Sequence, residues 1–369
     1  MFIGVGSALI VVLLIFFFLI LLPAFQNEPI EIGAIISLSG FGSDMVDVRD
    51  AMQLAVDEVN QSGGINGREL RLAVRDSESD PAIGVKKLKS LEENVKPLLI
   101  VTTISSVSLE VAAAAEQNQI PMIALVSTNP AITQNKQWVY SFFPTAADEV
   151  PPILTILKHL DITTLGLLYQ EDGYGESVYR ELSAALSGSN VTVKSRSYPL
   201  DTDNFSQHIR GMRDTDAIYT VGFASQLSAI YKACEKFNYR GHRIGPSTAS
   251  IPSFRALPEA QGAYVAAPII YKEGYRLSNQ IERKYEKRYN RTFNHYAGTG
   301  YEFITLISSL LEGSAATRDD LKEQLDRGFI YPGLFGDSVI NPGEKIIRFP
   351  LYPARIKEGK LDYNLKQRS

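Results

Sequence analysis

The sequence predicts an α/β protein built from two interleaved, doubly wound lobes and preceded by an apolar N-terminal helix. Three observations lead to this prediction. Strand-like and helix-like segments alternate from residue 28 onward, the pattern of alternation changes at three places, and residues 1–25 contain no charged side chain. Such alternation is typical of parallel sheets covered by helices on both faces. At 369 residues the chain is long enough for two domains.

Residues 1–25 are predicted to be a transmembrane anchor or signal segment that lies outside the fold. The run LIVVLLIFFFLILL, with its flanks, is apolar and long enough to cross a bilayer as a helix. A cleaved secretory signal usually has a basic start and small residues at the cleavage site, and the exit LLPAFQNEP offers neither. We therefore favour an uncleaved anchor. In both cases the body from Glu28 onward is expected to be extracytoplasmic, either periplasmic or membrane-anchored and facing outward.

The body alternates between strands and helices. Its strand-like runs are, in order, EIGAIISLS, ELRLAVRDS, PLLIVTT, IPMIALVS, TLGLLYQ, VTVKSRSY and DAIYTVGF. In DMVDVRDAMQLAVDEVNQSGG, apolar residues recur every three or four positions from Val48 to Val59, which predicts a helix that the two glycines end. The next helix is expected to begin after Asp80, an N-cap residue followed by proline.

The two lobes are expected to exchange the chain three times. An aromatic strand ends at Pro144, a second change of pattern comes near GAYVAAPIIYKEG, and a third comes in the tail GLFGDSVINPGEKI. We therefore assign residues 28–145 and 268–338 to lobe 1, and residues 146–267 and 339–369 to lobe 2. A chain that enters and leaves each lobe in this way forms interleaved lobes instead of two independent domains.

Composition and motifs exclude several classes of function. The net charge of −4 and the lack of a basic stripe argue against a nucleic-acid partner. Cys234 is the single cysteine, which excludes an internal disulfide and a multi-cysteine metal site. No dinucleotide-binding, P-loop, nucleophile-elbow or H-E-x-x-H motif is present, and the four histidines are scattered. The sequence therefore predicts a monomer with no cofactor, no metal site and no enzymatic activity.

Hydroxyl-bearing residues follow the strands of the first lobe, at the sheet edge where open α/β sheets bind ligands. They are Ser37 and Ser39, Ser105 and Ser106, and Ser127 and Thr128. The matching positions of the second lobe carry Tyr169, Tyr174, Phe223 and Ser247. A single serine at a helix start is explained as an N-cap. Three such strand ends in one lobe instead favour a bound carboxylate, because helix N-termini present free N–H groups to an anion.

Three stretches of the body carry a family resemblance. The most specific is AVDEVNQSGGINGREL, which is followed by Asp76 and by Asp80 with Pro81. The others are ISSVSLEVAAAAEQNQIPMIALVSTNPAIT and LGLLYQEDGYGESVY. Together they resemble the leucine/isoleucine/valine-binding proteins of bacterial ABC transporters, which have the type I periplasmic binding fold. The resemblance covers nearly the whole body.

The resemblance implies a non-enzymatic protein that binds a small solute, typically an amino acid, between two hinged lobes and delivers it to a membrane permease. Carried over residue by residue, it implies that Ser105 and the strand end Val126, Ser127 and Thr128 hold the ligand carboxylate. Tyr174 would close over the ligand from the second lobe.

Two positions depart from the amino-acid-binding pattern. Ser247 stands where those proteins commonly carry an acidic residue for the ligand's ammonium, and Phe223 stands where they often carry tyrosine. A buried ammonium needs a carboxylate partner, which Glu171 or Asp172 would then have to supply. The predicted ligand is therefore a small carboxylate-bearing solute, either an amino acid or an organic acid without an amine.

Two other classes of function stay open. The first is a ligand-sensing ectodomain of the same fold, tethered to the membrane by residues 1–25, which would need a partner to supply a signalling domain. The second is an α/β enzyme, which would need a nucleophile or a general base that the sequence does not reveal.

Overall fold

Two β-sheets of mostly parallel strands form the two lobes in a computed structural model, which describes residues 28–272 and 274–365. The predicted α/β class is confirmed. Strands such as Leu99–Thr103 and Tyr264–Pro268 are buried along their whole length, as expected when both faces of a sheet are covered.

The strands are numbered in chain order. They are β1 (Ile30–Ile36), β2 (Leu70–Asp76), β3 (Leu99–Thr103), β4 (Met122–Leu125), β5 (Val139–Phe142), β6 (Thr164–Gln170), β7 (Thr192–Tyr198), β8 (Ala217–Val221), β9 (His242–Gly245), β10 (Tyr264–Pro268), β11 (Phe329–Gly333), β12 (Gly336–Ile340), β13 (Ile346–Ile347), β14 (Leu351–Lys357) and β15 (Lys360–Asp362).

The α-helices are numbered in the same way. They are α1 (Val46–Gln61), α2 (Pro81–Asn94), α3 (Ser105–Gln117), α4 (Ala146–His159), α5 (Gly173–Leu186), α6 (Ser206–Gly211), α7 (Ala224–Lys236), α8 (Pro252–Arg255), α9 (Arg276–Tyr289), α10 (His295–Leu311) and α11 (Arg318–Arg327).

Each sheet reverses its strand order at one internal position. The first sheet has the order β13-β5-β4-β3-β1-β2, so the chain moves from β1 to β2 on one side and to β3 on the other. The second has the order β15-β14-β10-β9-β8-β6-β7 and reverses in the same way at β6. Ligands of open α/β sheets bind beyond the carboxyl ends of the strands at such reversals. A ligand is therefore expected at the segments that follow β3, β6 and β8.

The chain passes between the sheets three times. Strands β1 to β5 lie in the first sheet, β6 to β10 in the second, β13 in the first again, and β14 and β15 in the second. β13 pairs in parallel with β5, through Ile346 opposite Ser141. The segment 339–369, which the sequence assigned to lobe 2, therefore also gives a strand to the sheet of lobe 1. A strand of two residues is too short to produce an alternating pattern that sequence analysis can detect.

The helix signals in the sequence have physical counterparts in the structure. Val48 and Met52 of α1 are fully buried, and the Asp80 side chain accepts a hydrogen bond from the Ile83 N–H at 2.9 Å, which caps α2. Gly300 of α10 lies against α1 so closely that a Cβ atom there would be 2.3 Å from the Val48 carbonyl oxygen. Glycine is thus required where these two helices cross.

The predicted apolar helix at residues 1–25 lies outside the described residues. Within residues 28–272 and 274–365, none of the helices combines the length and the apolar character that a membrane crossing needs.

A buried carboxyl group holds the β11–β12 hairpin against α10. Glu302 of α10 is 1% exposed and accepts hydrogen bonds from the Leu334 N–H and, at 2.5 Å, from the Ser338 hydroxyl. Burial raises the pKa of Glu302 from 4.5 to about 7, although these donors favour the ionised form. The folded protein therefore binds a proton at this site under conditions in which the unfolded chain does not.

Glu302 is expected to make stability depend on pH. Its contribution to the free energy of unfolding is full below the unfolded pKa of 4.5 and is lost as pH rises through the folded pKa of about 7. Between those values wild type should lose up to about 1.4 kcal/mol per pH unit relative to Glu302→Gln, measured by urea unfolding. Parallel stability curves for the two proteins would contradict this assignment.

Candidate functional site

A small cavity lies between the lobes, beyond the carboxyl ends of strands from both sheets. Its volume is about 20 Å³, close to the space that one water molecule needs. Its lining residues are Ile104, Ser105, Val126, Thr128, Phe143, Tyr174, Phe223, Ser247, Thr248 and Tyr296. The cavity therefore lies at the reversal points that the sheet topology singles out.

Ser105 lines the cavity, and its hydroxyl oxygen accepts two backbone hydrogen bonds. The backbone N–H groups of Thr128 and Asn129 donate to its Oγ at 3.2 and 3.3 Å, which occupies both acceptor positions of the hydroxyl. The hydrogen of this hydroxyl has no acceptor among the described residues. Helix α3 also begins without a side-chain cap, since its N-cap residue is Ile104. Ser105 is thus oriented as a donor at an uncapped helix N-terminus.

Two residues beside Ser105 have unfavourable backbone conformations. Ile104 follows β3 with φ of 59°, and Val126 follows β4 with φ of 49°. Positive φ is costly for β-branched side chains, and such residues persist where the surrounding structure requires them. Both line the cavity. The two strand ends are therefore held in strained geometry at the site itself.

Two further hydroxyl groups in the cavity wall lack hydrogen-bond partners. Within the described part of the chain, the Thr128 Oγ1 and Tyr174 OH atoms are buried and make no hydrogen bond with proper geometry, although Thr248 lies beside Tyr174. Burial raises the pKa of Tyr174 well above its usual value, so this phenol keeps its proton. Both groups remain available to a polar ligand.

Aromatic rings form the apolar part of the cavity wall. The Phe223 ring packs against Tyr174, with centroids 5.9 Å apart, and against Phe41 of lobe 1, with centroids 5.7 Å apart. Phe143 and Tyr296 complete this wall from the first lobe. The cavity therefore combines hydrogen-bonding groups with aromatic rings, and each lobe supplies both kinds.

The lobes contact each other where α3 and α5 begin. The Asn129 side-chain amide of lobe 1 donates to the Gly173 carbonyl oxygen of lobe 2 at 2.8 Å. A Cβ atom on Gly173 would lie 3.0 Å from the Leu109 side chain and 3.3 Å from the Ser106 backbone nitrogen. Because any side chain here would press on the opposite lobe, glycine permits this degree of closure.

Ser247 contacts a buried carboxyl group that sequence analysis missed. Its hydroxyl donates to Glu149 Oε1 at 2.5 Å, and its backbone N–H donates to the same atom at 3.1 Å. Glu149 is 1% exposed and lies on α4, 98 residues before Ser247. No local motif marks this glutamate, since only the fold brings it to the strand end that precedes Ser247.

Most of the predicted site residues reach the cavity, and two do not. Ser105, Val126, Thr128, Tyr174, Phe223 and Ser247 line it, whereas Ser106 and Ser127 are outside its lining. The Ser127 hydroxyl bonds instead with Ser108 at 3.1 Å and with the Leu125 carbonyl oxygen at 3.1 Å. The Ser127 side chain thus connects the end of strand β4 to helix α3 and does not line the cavity.

The hydroxyls after β1 do not line the cavity either. The Ser37 and Ser77 hydroxyls bond at 2.8 Å, and the Ser39 hydroxyl donates to Asp76 at 2.7 Å. These contacts join the ends of β1 and β2. Tyr169 is likewise engaged elsewhere, since its ring stacks on Tyr179 with centroids 4.7 Å apart.

The acidic residues proposed for the ammonium have structural roles. Glu171 is exposed and accepts from the Ser197 hydroxyl at 2.8 Å. Asp172 caps α5, because its Oδ1 accepts from the N–H groups of Tyr174 and Gly175 at 3.0 and 2.9 Å. Neither residue lines the cavity. The described residues also contain no cluster of His, Cys, Asp and Glu side chains suited to a metal ion.

A model of the family described as "periplasmic binding protein" matches residues 29–360. The chain belongs to this periplasmic binding protein family. The family resemblance read from the sequence is thereby confirmed. A curated relative, the chemotactic signal transduction system substrate-binding protein BasB of Halobacterium salinarum, is 24% identical in an alignment of 251 positions that covers 65% of this chain and 60% of BasB. This chain therefore spans less than two thirds of that relative.

Solved structures of two transporter binding proteins share the fold. The branched-chain amino acid transporter substrate-binding protein of Streptococcus pneumoniae, in complex with isoleucine, has a TM-score of 0.79 and 18% identity over 90% of this chain and 98% of its own. A solute-binding protein of an ABC transporter from Rhodopseudomonas palustris, in complex with 3,4-dihydroxybenzoic acid, has a TM-score of 0.81 and 18% identity over 90% and 95%. At such identity these similarities establish the fold.

Replacing Tyr174 with phenylalanine is expected to stabilise this binding protein. The substitution removes a buried hydroxyl without a hydrogen-bond partner and should raise the free energy of unfolding by about 1 kcal/mol, measured by urea unfolding. Tyr140→Phe is the matched control, because the Tyr140 hydroxyl donates to Asp326 at 2.7 Å and its loss should destabilise the fold. Equal destabilisation by both substitutions would show that the Tyr174 hydroxyl has a partner in the folded protein.

Proposed function

We propose that this chain is the extracytoplasmic solute-binding protein of an ABC transporter, and that it captures a small carboxylate-bearing solute between two hinged lobes. The observation that carries the proposal is the donor arrangement at the start of α3. The Ser105 oxygen already accepts two hydrogen bonds, so its hydrogen is what this lining residue can offer a ligand, and the first N–H groups of the helix have no side-chain cap. An anion is the chemical complement of this arrangement.

A carboxylate fits these donors better than a larger anion does. The adjoining Thr128 and Tyr174 hydroxyls add unpaired hydrogen-bonding groups within the same small cavity. No glycine-rich loop follows β3 or β4, so the backbone does not form a cradle of phosphate size. A carboxylate needs only a few donors from hydroxyls and amides, and this wall supplies them.

The remaining wall supports an organic ligand with an apolar part. The Phe223, Phe143 and Tyr296 rings provide contact area for hydrocarbon or aromatic groups. The ligands in the two similar structures are isoleucine and 3,4-dihydroxybenzoic acid, which share a carboxyl group attached to a small hydrocarbon framework. This agreement in ligand chemistry supports a carboxylate-bearing solute here.

Opening of the lobes is part of the proposal. A cavity of about 20 Å³ is too small for any amino acid, so the lobes must separate to admit one. The contacts through Asn129 and Gly173 bridge the cleft and would have to break. Closure around the solute would then present a defined surface to the membrane permease.

The alternative is a ligand-sensing role for the same site. The relative BasB is described as a component of a chemotactic signal transduction system. In that role residues 1–25 would tether the protein to the membrane, and a partner protein would detect closure. Ligand binding without catalysis is common to both roles, so measurements of ligand affinity and of lobe closure apply to each of them.

Replacing Ser105 with alanine should weaken ligand binding. The carboxylate would lose one charge-assisted hydrogen bond, at a cost of about 1–3 kcal/mol. The measurement is calorimetric titration with the compound that raises Tm most in a screen of amino acids and aromatic acids. Ser108→Ala is the control, because Ser108 is on the same helix but bonds to Thr102 and Ser127 outside the cavity. Unchanged affinity in Ser105→Ala would remove Ser105 from the site.

Ligand should also change the shape of the protein in solution. If the free protein samples an open form, a saturating ligand draws it into the closed form and lowers the radius of gyration measured by X-ray scattering. The purified full chain with and without the same compound provides the comparison. Identical scattering curves at saturation would contradict hinge closure.

A further inference from the structure

The carboxyl group of Glu149 is buried beside the cavity without a cationic partner. It is 1% exposed, and it forms no ion pair in the described part of the chain. The charged residue that acts on it is Asp148, which is itself acidic, and burial raises the pKa of Glu149. A buried carboxylate without a counter-charge is costly, so its presence requires an explanation.

The immediate partners of Glu149 are all hydrogen-bond donors. The Ser247 hydroxyl and N–H donate to Oε1 at 2.5 and 3.1 Å, and the Tyr219 hydroxyl donates to Oε2 at 3.3 Å. A carboxylate has about four acceptor positions, so these three bonds leave one free. Donors in this number favour the ionised form, whereas burial opposes it. A nearby cation would offset the free-energy cost of burying the ionised carboxylate.

Ser247 connects Glu149 to the cavity. Its hydroxyl hydrogen is used by Glu149, so its oxygen lone pairs are what it can offer to a ligand, and no described residue donates to them. Glu149 is not itself a lining residue, but it contacts the lining residue Ser247 at 2.5 Å. The carboxyl group therefore lies directly behind the cavity wall.

Ser105 of lobe 1 and Ser247 of lobe 2 thus offer opposite hydrogen-bonding groups to a ligand. Ser105 has both acceptor positions filled and offers a hydrogen, whereas Ser247 has its hydrogen engaged and offers lone pairs. A carboxylate requires donors and an ammonium requires acceptors. Together the two walls match a molecule that carries both groups.

We infer that Glu149, acting through Ser247, is the counter-charge for a ligand ammonium, and that the solute is a zwitterionic amino acid. This inference rests on the proposed function and specifies its ligand class. The ammonium donates to the Ser247 oxygen, behind which Glu149 supplies the negative charge, while the ligand carboxylate accepts from Ser105. The acidic residue absent from position 247 is then supplied by a different element, α4.

The experiment compares ligands that differ only in the amine. L-isoleucine is paired with 3-methylpentanoate, L-leucine with 4-methylpentanoate, and L-phenylalanine with 3-phenylpropanoate, each titrated calorimetrically into the purified full chain. Wild type should bind at least one amino acid about tenfold or more tightly than its partner acid. Glu149→Gln should abolish that preference, mainly by weakening the amino acid, and should leave the acid bound as well as before. A merely structural role for Glu149 would weaken both members of a pair alike.

Two control variants make the comparison specific. Glu259→Gln removes another buried carboxyl group of the same lobe, one that pairs with Ser228 and Lys232 outside the cavity, and it should leave the amine preference unchanged. Asp172→Asn keeps an oxygen for the α5 cap and tests the competing carboxylate. Ser247→Ala removes the connecting acceptor and should reduce the preference, so it decides the matter if Glu149→Gln fails to fold.

Each outcome has a definite meaning. Loss of the amine preference in Glu149→Gln and Ser247→Ala, with retention in Glu259→Gln, supports the inference. Equal binding of both members of a pair to wild type, or a preference that depends on Asp172 and not on Glu149, overturns it while the carboxylate site stands. Failure of every amino acid and every acid to bind overturns the proposed function and this inference together.

Discussion

The uncapped start of helix α3 is the constraint on which the rest of the site depends. A helix N-terminus carries a partial positive charge and unpaired N–H groups, and these are usually satisfied by a side chain. Here Ile104 takes the capping position and offers none, while the Ser105 oxygen accepts hydrogen bonds from the Thr128 and Asn129 amides. By contrast, Asp172 caps the facing helix α5. Helix α7, whose N-cap residue is the cavity-lining Phe223, also lacks a side-chain cap, so the filled acceptor positions of Ser105 are what distinguish the start of α3.

The sequence could group the lobe 1 residues of the candidate site because they follow strands. Parallel strands carry their ligand-binding residues at one edge, so the order of residues alone was enough to group Ser105 with Thr128. The same reasoning failed for Ser127, whose side chain turns behind the sheet toward Ser108. Periodicity identifies the end of a strand, but it does not determine which of two neighbouring side chains faces the cleft.

Glu149 could not have been identified from strand ends or sequence periodicity. It lies inside an amphipathic helix, where a glutamate ordinarily faces solvent, and its environment depends on Ser247 and Tyr219 from distant strands. The short strand β13 was missed for a related reason, because two residues are too few to show an alternating pattern. In both cases tertiary contacts decide the outcome, and local patterns contain little information about them.

The return of the chain to lobe 1 has a consequence for how the protein matures. The sheet of lobe 1 is completed by Ile346 and Ile347, which pair with a strand that emerges from the ribosome long before them. Closing so long a loop is entropically costly and slows folding. Neither lobe can reach its final form before β13 and β14 have been synthesised, so the nascent chain stays incompletely packed until then. A protein that must cross a membrane unfolded would benefit from such a delay, since premature compaction obstructs translocation.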